Sequence, residues 1–332
     1  MIQKYLDVLK KFLGAKPVSN IKRITNGFTN MNWYVGARGK IFVLKKFNDT
    51  FSEERIKFIT TCQNYLAKTK KFAPQIYPSI DGKLYLRSHG SYYMLSEYIQ
   101  GYSLLPSQLP PYSYAYLGAF LGGIHKELEC FKEYPGERYF LKYPKNALER
   151  IESLLKYHKK NIRSPFYYDS LKLKYKLLSL FDENLIKRFS NLPKQIIHGD
   201  FYLGNLIFSE YRETPVLIDF DQASLFPRIY EFMRAAIFLM DWQQNWINFK
   251  EKTKKFLRAY LSKNKLGLEE TILGVDFYYW ILLSDIFCFS VNSTTGQGDL
   301  MPFARYRIKI IKSLSKKRDS LKEVLAQAFA EQ

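Results

Sequence analysis

The sequence is poor in the residues that build disulfide frameworks and metal clusters. It has three cysteines, Cys62, Cys130 and Cys288, and four histidines, His89, His125, His158 and His198. The cysteines are odd in number and far apart, which excludes a disulfide framework. Neither residue type has the spacing of a zinc site. Long apolar runs are missing too: no stretch reaches the ~18 residues expected of a membrane span. The opening "MIQKYLDVLKKFLGAKP" breaks its apolar residues with Lys and Asp at helical intervals. It reads as an amphipathic first helix and not as a signal peptide, which predicts a cytoplasmic location. Acidic residues are scarce: 31 Asp and Glu stand against 51 Lys and Arg, a formal charge of +20. That balance admits nucleic acid, an anionic surface or an anionic substrate as partner. The lysines fall in scattered pairs, at 45–46, 70–71 and 159–160, and no nucleic-acid module is present. Both facts argue against nucleic acid and leave docking on an anionic surface as the alternative.

Apolar residues are plentiful. At 47% of 332 residues they can bury one large domain or two lobes. The segment 23–47 holds two runs rich in aromatic and branched residues, with a hairpin signal, "ARGK", between them. The segment 52–68 starts with Ser52 and two acids and continues at helical spacing, the pattern of a capped helix. "KLYLRSHGSYYMLSEYI", 83–99, reads as two more strands around a His89-Gly90-Ser91 turn. Residues 1–99 are therefore expected to form a small β-rich lobe. The Pro-rich "QGYSLLPSQLPP", 100–111, reads as a hinge. Residues 112–332 are expected to form a mostly helical lobe, with helices over 112–130, 144–163, 168–190, 227–247, 249–263, 268–291 and 302–329. The fold class is α+β, in two lobes.

Chemistry concentrates in the helical lobe's only two strand-like segments, "QIIHGDFYLGNLIF" (195–208) and "VLIDFD" (216–221). Two short strands flanking a turn would bring Asp200, Asn205 and Asp219 to one spot. Two acids and an amide suit Mg²⁺, which prefers oxygen ligands and shares its shell with substrate phosphates. A carboxylate beside the metal can accept the proton of a hydroxyl. These are the parts of phosphoryl transfer from ATP, save a cation for the phosphates. "IFVLKKF" supplies that cation as Lys45, near the end of a strand, and the following helix offers Glu53 and Glu54 to pair with it. "TNGFTNMNW", 25–33, is a turn that could cover phosphates with backbone N–H groups.

"HGDFYLGN" followed by "LIDFD" resembles the catalytic and metal motifs of the aminoglycoside phosphotransferase and choline kinase superfamily, small-molecule relatives of the protein kinases. "NGFTNMNWYV" is similar to its phosphate loop, "YYMLSEYIQGYSL" to its hinge, and "LGAFLGGIHK" to the helix that follows. The resemblance runs in the expected order from about residue 20 to about 240 and implies a protein-kinase-like fold. It implies Asp200 as the catalytic base, Asn205 and Asp219 as Mg²⁺ ligands, and Lys45 on the ATP phosphates. Glu54 would anchor Lys45, with Glu53 as the alternative. Asn30 would lie at the phosphate loop. Ser96, Glu97, Tyr98 and Ile99 would meet adenine through backbone groups, which leaves GTP open as donor. His198 would support the loop, and Asp221 would stand behind the metal at most. Tyr202-Leu203 departs from the Pro common in relatives. Glu231 replaces a frequent Asp and should still support the catalytic loop.

The implied activity is an ATP- and Mg²⁺-dependent kinase acting on a small-molecule hydroxyl, such as a sugar or amino alcohol. The alternative is a catalytically silent, kinase-like binding protein. The region 140–190 and "IDFDQA" also resemble the CotS-like spore-coat proteins, which would imply a spore-coat location. "DGKLY" and the hinge resemble the type II homoserine kinase-like branch. The aromatics Trp242, Trp246, Tyr278, Tyr279, Trp280, Phe287 and Phe289 recur at helical spacing and read mainly as core. Asp241, Asp276 and Asp285 lie among them. One of these acids inside an aromatic pocket would favour a cationic acceptor, whereas the basic total favours a neutral or anionic one.

Overall fold

The computed structural model describes residues 2–15, 17–25, 30–110, 112–133, 146–160, 165–239, 246–289 and 300–331. Helix α1 (Ile2–Leu13) leads into an antiparallel sheet of β1 (Val18–Ile24), β2 (Met31–Ala37), β3 (Lys40–Lys46), β4 (Ile76–Tyr77), β5 (Leu86–Ser88) and β6 (Ser91–Glu97). The strand order is β1-β2-β3-β6-β4, with β5 also paired to β6. Both tight turns were legible. Ala37 pairs with Lys40 across Arg38 and Gly39, and Ser88 pairs with Ser91 across His89 and Gly90. All four turn residues have positive φ. Two such residues in succession give the turn whose twist matches the flanking strands.

Helix α2 (Glu53–Thr69) starts at an N-cap, Ser52, whose side chain accepts from the Arg55 N–H at 3.2 Å. The helical body follows as α3 (Ser113–Leu128), α4 (Ala147–Lys160), α5 (Pro165–Leu178), α6 (Glu183–Ser190), α7 (Arg228–Leu239), α8 (Trp246–Leu261), α9 (Leu268–Ser284) and α10 (Met301–Ala330). The helix expected over 168–190 is two helices. Asp182 caps α6 by accepting from the Leu185 N–H, and that cap ends the run after α5. Among the described residues, four short strands sit in this half: β7 (Lys194–Ile197), β8 (Leu206–Ile207), β9 (Val216–Leu217) and β10 (Ser224–Pro227). They form the ladders β7–β10 and β8–β9. β10 is too short to leave a period in the sequence.

Two apolar clusters carry the fold. One joins α1 to the sheet through Val8, Leu9, Phe12, Trp33, Val35, Leu44, Tyr93 and Leu95. The other fills the helical body, and α2 belongs to it through Ile56, Phe58, Ile59, Cys62 and Leu66. Within the body, α3 and α8 approach closely where α3 has no side chain. A Cβ on Gly118 would lie 2.2 Å from the Phe256 carbonyl oxygen, and one on Gly122 would lie 2.7 Å from that of Tyr260. The segment Leu268–Phe289 is long and apolar enough to cross a membrane by length and composition, but 83% of that window is buried within the fold. It is the central core helix, which corrects the expectation that no such run exists.

Candidate active site

Lys45 reaches the site because it lies next to the end of β3, on the sheet face opposite Leu44 and Lys46. It is 8% exposed. Its Nζ donates to Asp221 Oδ1 at 2.5 Å and to Asp219 Oδ1 at 3.2 Å. Burial would lower the ammonium, but Asp221 and then Asp219 hold it above its ordinary value. Asp219 has a side chain 47% exposed. Partial burial works against its ionisation, but Lys45 outweighs that and holds the carboxyl below the ordinary range. Burial pushes Asp221 up further than Lys45 pulls it down, and the Asp219 charge adds to the rise. Asn30 binds the same cluster: its Nδ2 donates to Asp221 Oδ2, and its Oδ1 accepts from the Asn48 N–H at 2.9 Å.

Two expectations need correcting here. The Lys45–Glu54 pair does not form. Glu54 is exposed on α2, and Glu53 accepts from the Tyr85 and Tyr92 hydroxyls instead. The link between α2 and the site is Arg55, which donates to the Asp221 carbonyl at 2.6 Å. Asp221 stands at the centre of the cluster and not behind it. The chain does not continue as a strand through "IDFD". Asp219 takes the left-handed conformation, φ +63°, and a single 3₁₀ turn, Phe220–Gln222, follows. A strand would also have put Asp219 and Asp221 on one face; here the turn curls the chain so that both carboxylates meet Lys45. A non-glycine residue in this conformation is costly and persists where the surroundings fix it.

The loop of Asp200 hangs from one buried carboxylate. Glu231, on α7, is fully buried. It accepts from the backbone N–H groups of His198 at 3.0 Å and Phe201 at 3.2 Å. It also meets His125 Nε2 at 2.9 Å, and the other ring nitrogen of His125 meets the Tyr260 hydroxyl. Burial works against the Glu231 charge, but hydrogen bonds from His125 and His198 outweigh it and hold the carboxyl well below the usual range. His198 Nε2 sits 3.0 Å from the Ile218 carbonyl, and the Asp200 N–H donates to His198 Nδ1 at 3.2 Å. The imidazole thus ties the loop of Asp200 to the strand before Asp219.

Asp200 is held from two sides. Asn205 Nδ2 donates to its Oδ2 and to its carbonyl, both at 2.9 Å. Arg234, one helical turn after Glu231, donates to Oδ1. Arg234 is 8% exposed and stacks over the Phe238 and Tyr202 rings at 4.7 and 5.8 Å. Burial opposes its charge, but the Asp200 carboxylate keeps it above the ordinary arginine value. The sequence reading missed Arg234. The signal was present in "EFMR", because residues three apart share a helix face.

At the expected hinge, β6 ends at Glu97 and the chain leaves the ladder through Tyr98 and Ile99. Ser96 is buried and paired with Val43 and Ile76. The Glu97 side chain pairs with Arg212 at 2.5 Å. Gly101 follows, where Tyr102 pairs with Phe208; a Cβ there would lie 2.1 Å from the Phe208 oxygen. Residues 26–29 of the expected phosphate loop lie outside the described residues, as do Asp241 and Trp242. Of the other aromatics, Tyr278, Tyr279, Trp280 and Phe289 are core, while Phe287 is exposed. Trp246 stacks on Phe249.

Among the described residues, no cluster of three or more His, Cys, Asp or Glu is grouped to hold a metal by itself. The donors that do gather, the half-exposed Asp219 carboxylate and the Asn205 amide, are oxygen donors. Because Asn205 turns Nδ2 towards Asp200, its Oδ1 is left for a cation. This partial set fits a hard cation that takes the rest of its shell from phosphate and water.

The fold recurs in solved structures. A choline kinase from Cryptosporidium parvum superposes with a TM-score of 0.67 over 99% of this chain and 100% of its own, at 14% identity. An amicoumacin kinase, in complex with AMP-PNP and Ca²⁺, gives 0.66 over 97% and 93%, at 14% identity. An ethanolamine kinase from Plasmodium vivax gives 0.58 over 89% and 84%, at 17% identity. No curated protein sequence matches the chain. The profile of the phosphotransferase enzyme family (APH) matches residues 20–264, most of the chain and every site residue above, so the protein belongs to that family.

Proposed function

We propose that this protein transfers the γ-phosphoryl group of ATP to a hydroxyl of a small molecule, with Mg²⁺ as the metal. One observation carries the reading. Lys45 from the sheet converges on Asp219 and Asp221, next to a base, Asp200, that Asn205 orients. Asp200 accepts the hydroxyl proton as the acceptor oxygen forms its bond to phosphorus. The bond from phosphorus to the bridging oxygen breaks, and ADP leaves. Lys45 exchanges one carboxylate partner for the incoming phosphates. Asp219 and Asn205 would hold the metal, which supplies charge neutralisation on the phosphates. Ser96 to Ile99 would meet the base through their backbone. Because such contacts read few purine substituents, GTP is the alternative donor.

Thermal unfolding with and without Mg²⁺ and ATP or GTP tests the reading, since a ligand of the native state raises the midpoint by mass action. A metal-dependent rise supports it. No response to either nucleotide refutes it in favour of a silent kinase-like binding protein.

A further inference from the structure

Behind Asp200 lies a cluster that the transfer chemistry does not use. Arg234 stacks on Phe238, and Phe238 packs against Tyr306 with ring centres 5.6 Å apart. The next residue, Arg307, is paired with Asp285 and lies over the Phe303 ring at 4.5 Å. Tyr278 joins the group through Tyr230, with ring centres 5.8 Å apart. Burial, and next the nearby Arg234 charge, lowers Arg307 below its ordinary value. Two largely buried guanidiniums, with side chains 10% and 15% exposed, thus flank the same aromatic pair.

Among the described residues, the acids of this region are already occupied. Asp285 is taken by Arg307. Asp276 faces Arg318 at 2.8 Å and Lys322 at 2.7 Å. Asp200 is taken by Arg234. The donors, in contrast, are in surplus. Arg234 Nε, Arg307 Nε and the Tyr278 hydroxyl are all buried with no hydrogen-bond partner. Tyr278 is 2% exposed. Buried donors without acceptors are rare in native proteins and call for an explanation.

We infer that the acceptor substrate carries an anionic group, a phosphate or carboxylate, that is bound by Arg234, Arg307 and Tyr278. The inference rests on Asp200 being the base. Donor chemistry supports it: an oxyanion would accept from the two Nε–H groups and the Tyr278 hydroxyl, whereas a quaternary ammonium or polyamine would bring further positive charge against two guanidiniums.

The test uses the full chain and measures midpoint shifts with glycerol 3-phosphate, glucose 6-phosphate, glycerate and gluconate. Glycerol, glucose and choline serve as counterparts. Each is run with and without AMP-PNP and Mg²⁺. At least one anionic alcohol is expected to raise the midpoint, and its uncharged counterpart is not. Which pair responds separates phosphate from carboxylate. Arg307→Gln should weaken the anion by about tenfold or more, the scale of a hydrogen bond to a charged group. Tyr278→Phe should do the same while removing only a hydroxyl without a partner, so it keeps the test alive if Arg307→Gln fails to fold. A response to choline, no response to any anion, or unchanged anion affinity in Tyr278→Phe overturns the inference. An anion response without any Mg²⁺–nucleotide response would leave the anion site standing and refute the phosphotransfer reading instead.

Discussion

Asp221→Asn separates what the structure adds from what the motif alone suggests. The Asp221 carboxylate offers two acceptor oxygens, one to Lys45 and one to Asn30. An amide offers one, so Lys45 or Asn30 must face an NH₂ group. Removing one partner of a buried ion pair costs about 3–5 kcal/mol. Here Asp219 stays 3.2 Å from Lys45, and the mutation also removes the repulsion between two carboxylates. Both lower the cost, as does relief of the burial penalty that holds the Asp221 carboxyl above its ordinary value, and about 1 kcal/mol is the expected loss, roughly fivefold in the unfolding equilibrium. Asp221 has a side chain only 5% exposed, so solvent screening does not erode this figure further. The assay is urea unfolding at pH 7, with the affinity for Mg²⁺–ATP measured in parallel. The comparison variant is Glu54→Gln, an exposed change with an expected effect within about 0.5 kcal/mol and unaltered nucleotide affinity. A neutral Asp221→Asn together with a Glu54→Gln that loses nucleotide affinity would refute the assignment of Lys45's partners.

Three further outcomes are expected. Asp200→Asn should lower kcat by about 10²-fold or more while the midpoint rise with Mg²⁺–ATP persists; lost nucleotide affinity would sink the base assignment. Glu231→Gln should destabilise by about 2–4 kcal/mol, because two backbone donors and an imidazole share that carboxylate. Since the native Glu231 carboxyl is held below its unfolded value, its contribution is present above the unfolded pKa of about 4.3 and fades as pH falls through the native one. The stability gap between wild type and variant, read by urea midpoints, should therefore narrow below about pH 4, and a gap independent of pH would contradict the charge argument. Gly118→Ala sets two effects against each other: a helix gain of about 1 kcal/mol and a Cβ pressed against the Phe256 carbonyl, an overpacking cost of about 1–3 kcal/mol. A lower melting midpoint is expected, and a higher one would mean that α8 shifts freely.

Local chemistry made much of this molecule legible. The turns at Arg38-Gly39 and His89-Gly90, the Ser52 cap and the two short motifs each mark their own geometry within a few residues. Asp200, Asn205, Asp219 and Lys45 come together because each lies beside such a signal. What stayed hidden depends on backbone conformation or on distance along the chain. The left-handed Asp219 and the 3₁₀ turn after it replace the strand expected through these residues, and a single Asp does not announce them, although Asp tolerates that conformation better than most residues. Lys45 lies near Glu54 in sequence, yet it pairs with acids 174 and 176 positions away. Arg234 looks like any helix cation until α7 is laid against the loop of Asp200. The role of Asp276 was undecidable for the same reason: Arg318 and Lys322, which neutralise it, arrive from the last helix.

The rooting of α2 bears on control. In protein kinases the equivalent helix governs activity, because its glutamate must reach the lysine. In this chain α2 is buried into the helical body by Ile56, Phe58, Ile59, Cys62 and Leu66, and Arg55 fastens it to the backbone of Asp221. Swinging α2 outwards would tear open the main core and would not release Lys45, whose partners lie elsewhere. The usual lever for switching such an enzyme off is therefore welded in place. Control by a swing of this helix would require the main core to open.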